Sequence, residues 1–114
     1  MKIKALLIWQ WHGYHRYHQS KINIAIHLFA VPLFIAACIS LIVSLVFFNL
    51  PLLFGSICTL LVAMVLQAVG HRQEPLAPEK FTGASNFILR LLFEQFITFP
   101  KFIWASNITR SREH

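Results

Sequence analysis

Histidine is the residue whose placement in this sequence carries the most chemical information. The chain has 114 residues and six His, and His27 and His71 lie at the borders of two long apolar segments. Neutral imidazole is the commonest metal ligand among protein side chains. A metal site therefore becomes the first hypothesis, and the elements around these histidines decide whether they can meet.

The two apolar segments are residues 28–48 and 51–69, and neither contains a formal charge. Each is close to the about 20 residues that a helix needs to cross a bilayer. Asn49 tolerates the left-handed conformation that ends a helix, and Pro51 suits the first turn of the next. The sequence therefore predicts a tight helical hairpin whose open ends lie on the same side.

A hairpin with arms of nearly equal length brings His27 and His71 to the same depth, side by side at the boundary of the apolar region. Asn23 precedes His27 by one helical turn and shares its face. Glu74 follows His71 by three residues, so a helical turn there would align the two side chains. These four residues are expected to gather at the open end of the hairpin.

His15 and His18 are three residues apart and share a face, whereas His18 and His27 are nine apart and would point in opposite directions on an unbroken helix. A bend at residues 19–21 is therefore predicted. The candidate metal ligands are His18, His27, His71 and His15. For His12 and His15 the plainer interpretation is an interfacial aromatic belt, and for the other three it is a hydrogen-bonded boundary histidine.

Several metals are compatible with such a set of ligands. Two His and a carboxylate with open positions are typical of non-haem Fe(II) oxygenases, and four imidazoles would suit Fe, Zn or Cu. The sequence contains no HExxH and no CxxC, so the usual zinc signatures are missing.

Composition limits the class of protein. Hydrophobic residues make up 57% of the chain and charged residues 12%, against about 45–50% and about 25% in soluble domains. Such hydrophobicity excludes intrinsic disorder, and two Cys cannot build a disulfide scaffold. So short a chain could not hide this much apolar surface as a soluble globule. We expect an all-α membrane protein.

The formal net charge is +6, and the basic residues lie on both sides of the apolar middle. This distribution favours anionic membrane lipid over nucleic acid as the partner. The positive-inside rule places both termini in the cytoplasm. The expected location is an integral membrane position, in the bacterial inner membrane or, for a eukaryotic protein, the endoplasmic reticulum.

The remaining segments complete a single membrane domain over residues 1–114. The predicted architecture is a two-span transmembrane hairpin flanked by N-terminal and C-terminal amphipathic, interfacial helices. Its parts outside the spans are an interfacial helical segment over 1–27, a loop over 70–86, an amphipathic helix over 87–105 kinked at Pro100, and a frayed tail over 106–114.

Two motifs frame the hairpin and resemble a known family. The first, Y-x3-H-x4-N-x3-H-x4-P, and the second, Q-x2-G-H followed by Glu and Pro, are formed by Tyr14, His18, Asn23, His27, Pro32, Gln67, Gly70, His71, Glu74 and Pro78. Together they resemble the family of the yeast 2-hydroxy fatty acid dioxygenase, in particular its short bacterial members. The resemblance covers roughly residues 10–103.

The resemblance implies a membrane enzyme that uses Fe(II) without haem and O2 to shorten a 2-hydroxy fatty acid by one carbon. His18, His27 and His71 match the histidines of the family, and Asn23 matches its asparagine. His15 departs from the pattern, which leaves the fourth ligand open.

The chemistry suits these residues. A 2-hydroxy acid can chelate iron through its hydroxyl and one carboxylate oxygen. Asn23 and Glu74 are the candidate catalytic residues, with the Asn23 amide orienting a ligand or the substrate. The basic residues that could pair with the substrate carboxylate are Arg16, Lys21 and Arg72.

Two other functions remain open at this point. His27 and His71 could ligate one non-covalent haem from facing helices, in an electron-transfer or sensing protein. Alternatively the hairpin could be a non-enzymatic scaffold that shapes the membrane, although scaffolding requires no imidazoles at one depth. A homodimer is a further option, because two spans offer little surface around a metal site.

Overall fold

The computed structural model describes residues 2–113, with side chains through Ser106, and every regular element in that part of the chain is helical. The chain divides into two compact units. Residues 18–77 form one, here called the hairpin unit, and residues 1–17 with 78–114 form the other, the terminal unit. Each is described by itself.

The hairpin unit consists of two long helices, α2 (Lys21–Val46) and α3 (Leu50–His71). Both are longer than the predicted spans at their open ends. The Ser20 hydroxyl accepts a hydrogen bond from the backbone N–H of Asn23 and caps α2. The helix therefore begins at this cap and not where the charge-free segment begins. Residues 21–27, predicted within the interfacial segment 1–27, therefore belong to α2, and residues 70 and 71, predicted within the loop 70–86, belong to α3.

The turn between the helices differs from the prediction in one residue. Phe48, not Asn49, has the left-handed backbone, with a φ of 50°. Asn49 instead has an extended backbone, and its side-chain oxygen accepts a hydrogen bond from the N–H of Leu52. Because Asn49 caps α3, the chain reversal falls on Phe48, which must tolerate the strain of that region. Pro51 lies in the first turn of α3, as predicted.

A stripe of buried residues along each helix forms the seam of the hairpin. Most members of a stripe are three, four or seven residues apart, as in helices that pack side by side. Small side chains dominate the stripes and allow the two backbones to approach closely. The buried residues are Asn23, His27, Ala30, Val31, Phe34, Ala37 and Ser44 on α2, and Ser56, Ala63, Gln67 and Gly70 on α3.

The outer faces of the hairpin are apolar and exposed. Both helices are long and apolar enough to cross a membrane, yet only 28% and 17% of their most apolar windows are buried. The core helix of a soluble protein would be mostly buried. Large side chains such as Phe29, Ile42 and Phe54 are each more than 60% exposed.

The terminal unit packs α1 (Ile3–Tyr14) against the last helical segment of the chain. The Gln10 amide donates to the carbonyl of Arg90 and accepts from the hydroxyl of Thr98, and the Tyr14 hydroxyl donates to Glu94 over 2.8 Å. Burial and the Glu94 carboxylate raise the pKa of Tyr14, which keeps this hydroxyl a donor. The polar side chains of Glu94 and Thr98 on the last helical segment therefore face α1.

The last helix is not the single kinked element predicted over 87–105. It begins earlier, as α4 (Ala84–Phe93), passes through a π-helical turn (Glu94–Thr98) and continues as α5 (Phe99–Glu113). Pro100 lacks an N–H and its ring crowds the carbonyl four residues before it. The wide turn lies directly before this proline. The expected tail 106–114 is helical through Glu113, and its last residue lies outside the described part.

We predict that the seam tolerates no added bulk at Ala37. Ala37 is 3% exposed, whereas its neighbour Ala36 is exposed on the opposite face. Ala37→Leu should lower the free energy of unfolding by about 1–3 kcal/mol through overpacking. Ala36→Leu, the matched control, should change it by less than about 0.5 kcal/mol. Circular dichroism recorded during unfolding in detergent measures both changes. Equal effects of the two variants would contradict the placement of Ala37 in the seam.

Candidate metal centre

Three histidines from three places in the chain meet at the open end of the hairpin unit. His18 lies just before α2, His27 in its second turn, and His71 is the last residue of α3. Their ring centroids are 4.9–5.1 Å apart in every pair, and each pair meets edge to face. One ring nitrogen of each lies within 4.8 Å of those of the other two.

This arrangement confirms two predictions. His27 and His71 lie side by side, as the nearly equal arms of the hairpin require. The chain is not helical at residues 18–20, so the expected break between His18 and His27 is present. On an unbroken helix His18 would point away from the face of α2 that carries His27. The break lets His18 approach that face.

The centre is enclosed. His27 is fully buried and His18 is 6% exposed, while His71 is half-buried. Burying polar groups is unfavourable unless they interact with one another or with a ligand. Three imidazoles that meet at the enclosed end of the seam therefore indicate a candidate binding site.

A backbone carbonyl orients the ring of His27. Its Nδ1 lies 3.0 Å from the carbonyl oxygen of Asn23. Because a carbonyl oxygen only accepts hydrogen bonds, we assign the proton to Nδ1, which leaves the lone pair of the buried Nε2 for a ligand. Metal-binding histidines commonly have their second nitrogen fixed in this way.

Glu74 fastens the end of α3 to the start of α2. Its carboxylate accepts hydrogen bonds from the backbone N–H groups of Gln19 (2.7 Å) and Ser20 (3.0 Å) and from the Asn23 amide (2.7 Å). The bonded backbone groups directly follow His18. Glu74 and Asn23 are thus brought to the centre as predicted, and the contacts of Glu74 position the polypeptide around the ligands.

These contacts also set the charge of Glu74. Burial raises the pKa of its carboxyl group, but three influences outweigh burial: the Asn23 amide, the backbone N–H groups of Gln19 and Ser20, and the electrostatic influence of the nearby His18. The pKa is therefore below its ordinary value. Glu74 is an anion at neutral pH, which strengthens each of these hydrogen bonds.

Asn23 also meets α3 through its other amide atom. The Oδ1 atom is buried and accepts no hydrogen bond within the described residues. It lies against Gly70, so closely that a Cβ built on that glycine would overlap Oδ1. The helices therefore approach each other closely beside His71 and one turn before His27.

The remaining candidate residues are placed differently. Lys21 and Arg72 belong to the hairpin unit, lie at its open end and are exposed. His15 and Arg16 belong to the terminal unit, in the short 3-10 turn His15–Tyr17, and are also exposed. The ligand set found within the hairpin unit is therefore His18, His27 and His71.

The three imidazoles fit a metal ion. One ring nitrogen of each histidine lies within 4.8 Å of the others. Rotations of the rings that draw these nitrogens closer together would allow nitrogen–metal bonds of about 2.0–2.1 Å to a single ion. An all-imidazole set suits Fe, Zn or Cu rather than Mg or Ca, which prefer oxygen.

Two residues of the centre were not predicted as part of it. Ser20 caps α2 and so fixes where the helix begins, and a Ser before an apolar run is a known signal for this role. Gly70 was quoted within a motif, but only the packing of the two helices reveals why a side chain is excluded there.

We predict that Glu74→Gln destabilises the hairpin unit, because a neutral amide is a weaker acceptor for these three donors. The loss should be about 1.5–3 kcal/mol at pH 7. A carboxyl group whose pKa is lower in the folded than in the unfolded protein stabilises the fold at pH values above its unfolded pKa. This stabilisation is lost as the pH falls through the pKa of the folded protein. Wild type should therefore lose this stability as the pH falls below the ordinary range of a glutamate carboxyl group, whereas the variant should show no such loss.

The measurement is the thermal midpoint in detergent between pH 3 and pH 7. Glu79→Gln is the control, since the exposed Glu79 accepts from Tyr17 over 3.2 Å and should be worth less than about 1 kcal/mol. An acid dependence that survives in Glu74→Gln would refute the assignment.

Comparison with known proteins finds no relative of this chain at the significance required. No family model matches the sequence, and neither the curated proteins nor the solved structures contain a significant match.

Proposed function

We propose that this chain is a membrane-bound, non-haem iron enzyme that shortens 2-hydroxy fatty acids by one carbon with O2. The observation that supports it is the group of three imidazoles, with ring centroids 4.9–5.1 Å apart, at the open end of an apolar hairpin. The family resemblance of the two motifs supplies the reaction, and the geometry supplies the site.

The distribution of polarity supports a membrane location. In both units the chain buries polar side chains and exposes large apolar ones, the reverse of a water-soluble protein. Fully or almost fully buried polar residues include Asn23, Ser44, Ser56, Gln95 and Thr98, while exposed apolar residues include Phe29, Ile42, Val65, Ile97 and Trp104. Lipid would cover the apolar faces, and the basic ends would lie on the cytoplasmic side.

The number of protein ligands suits the reaction. Three imidazoles would leave up to three positions on a six-coordinate ion, enough for a bidentate 2-hydroxy acid and O2. Fe(II) held by His18, His27 and His71 would supply the redox chemistry that lets O2 react with the substrate. The protein itself encloses the reacting end of the substrate and fixes the imidazoles that surround it.

The substrate suits the surroundings. Its acyl chain would lie along the outer apolar faces of α2 and α3, since the seam between them is filled by small side chains. Lys21 and Arg72, exposed at the open end, would attract the carboxylate. With carbon dioxide and water as co-products, the reaction balances: the acid loses four electrons and O2 accepts four, so no external reductant is required.

The haem alternative is disfavoured by the geometry. Two imidazoles that ligate one iron from opposite sides need two bonds of about 2 Å between their nitrogens. Their ring centroids would then be about 6 Å apart, with a macrocycle between them. His27 and His71 are 5.1 Å apart in an edge-to-face pair, and His18 contacts both.

The first test is the metal content of the detergent-purified protein with its optical spectrum. Wild type should contain iron near one equivalent, or take it up anaerobically as Fe(II), and should lack a Soret band. His18→Ala, His27→Ala and His71→Ala should each lose most of the metal, because each removes one of three ligands. His12→Ala, an exposed histidine of the terminal unit, is the control and should retain it.

A Soret band would replace the proposal with the haem alternative. A protein that neither contains iron nor binds Fe(II), and whose histidine variants behave as wild type, would favour the scaffold.

The second test addresses the substrate. The iron-loaded protein should consume O2 with a long-chain 2-hydroxy fatty acid and release the acid one carbon shorter, detected by mass spectrometry. The unsubstituted and 3-hydroxy acids of equal length should react at least tenfold more slowly, because neither offers the five-membered chelate of a 2-hydroxy acid. Equal rates with all three would exclude the proposed specificity.

A further inference from the structure

The two long helices approach each other closely at a glycine that lies beside His71, a candidate metal ligand. A Cβ built on Gly70 would overlap Oδ1 of Asn23, stand 3.3 Å from its Cγ and reach Ile26 at 3.5 Å. The last is an ordinary contact. The first is incompatible with any side chain at position 70 unless the Asn23 amide moves.

The Asn23 amide is not free to move. Its Nδ2 donates to Glu74 over 2.7 Å, and Asn23 itself is fully buried. The carbonyl of the same residue holds Nδ1 of His27. A shift of Asn23 would therefore disturb the ring of His27 and the carboxylate that orders the chain after His18.

A second glycine on α3 shows that the helix has no general need for glycine. A Cβ on Gly55 meets nothing within 4 Å. Glycine within a helix is less favourable than alanine, because it has more backbone freedom to lose. At Gly70 that disadvantage is accompanied by a contact that only glycine permits.

We propose that Gly70 is a positioning residue of the metal centre, whose missing side chain lets the Asn23 amide seat against α3 and thereby sets the separation of His27 and His71. The proposal rests on the proposed metal site and deepens it. Gly70 contacts neither metal nor substrate, and acts through the placement of its neighbour His71 and of Asn23.

A double-mutant cycle tests this mechanism. The variants are Gly70→Ala, Asn23→Ala and the double variant, with Gly55→Ala as the matched control on the same helix. The readouts are the affinity for Co(II), the visible spectrum of bound Co(II), and the thermal midpoint of the metal-free protein. Co(II) is used because its spectrum reports the arrangement of its ligands.

Gly70→Ala should lower the affinity for Co(II) about 10- to 100-fold, the usual effect of disturbing a residue that supports a ligand. It should also alter the spectrum of the Co(II) that still binds, whereas a merely loosened fold would lower the thermal midpoint without altering the spectrum. Gly55→Ala should match wild type within about twofold.

The decisive comparison is made in the absence of the Asn23 side chain. Asn23→Ala should itself weaken binding, but adding Gly70→Ala should then change affinity by less than about twofold, because the overlapping atom is gone. This arm also keeps the test valid where Gly70→Ala alone fails to fold. An equal loss in both backgrounds would overturn the proposal.

Metal binding by wild type separates a failure of the positioning role from a failure of the proposed function. If wild type binds Co(II) or Fe(II) and Gly70→Ala binds equally well with the same spectrum, the positioning role is wrong and the proposed function stands. If wild type binds neither ion, both fall, although the thermal midpoints would still report the contact between Asn23 and Gly70.

Discussion

The Glu74 carboxylate joins two parts of the hairpin unit that chain connectivity alone leaves apart. It follows the end of α3 and accepts hydrogen bonds from Gln19, Ser20 and Asn23 at the start of α2. His18 directly precedes this anchored segment, and His71 ends the helix that carries Glu74 to it. Without the anion, three backbone or amide donors next to His18 would lose a charged acceptor.

The seam explains how an apolar hairpin can carry polar chemistry at one end. Along most of its length, small side chains such as Ala30, Ala37 and Ala63 bring the helices close. Near the open end the same stripe positions are taken by Asn23, His27 and Gly70. The chemistry therefore uses the packing register of the hairpin, and the close approach at Gly70 fixes the spacing at which imidazoles from both helices face each other.

The sequence predicts the meeting of His27 and His71 because that meeting follows from arm length alone, and it predicts the break before α2 because a nine-residue spacing on one helix cannot converge. It does not predict that Glu74 binds the backbone N–H groups of Gln19 and Ser20, since these belong to a turn whose shape depends on the Ser20 cap. The left-handed residue was assigned to Asn49 by propensity, but the capping role of Asn49 moves it to Phe48. The π-helical turn before Pro100 likewise depends on how Gln10 and Tyr14 pack against it.

Binding and folding must be coupled in such a hairpin. The helices are covalently joined at the tip, so they are most easily separated at the open end, where the histidines lie. An ion held by His27 from α2 and His71 from α3 would bridge the two helices there and add its binding free energy to the closed state. By the same linkage, whatever closes the open end raises the affinity for the ion. The Glu74 hydrogen bonds and the contact at Gly70 order the three histidines before an ion binds, so less conformational entropy would be lost on binding. Groups that never touch the ion can therefore govern how tightly it would be held.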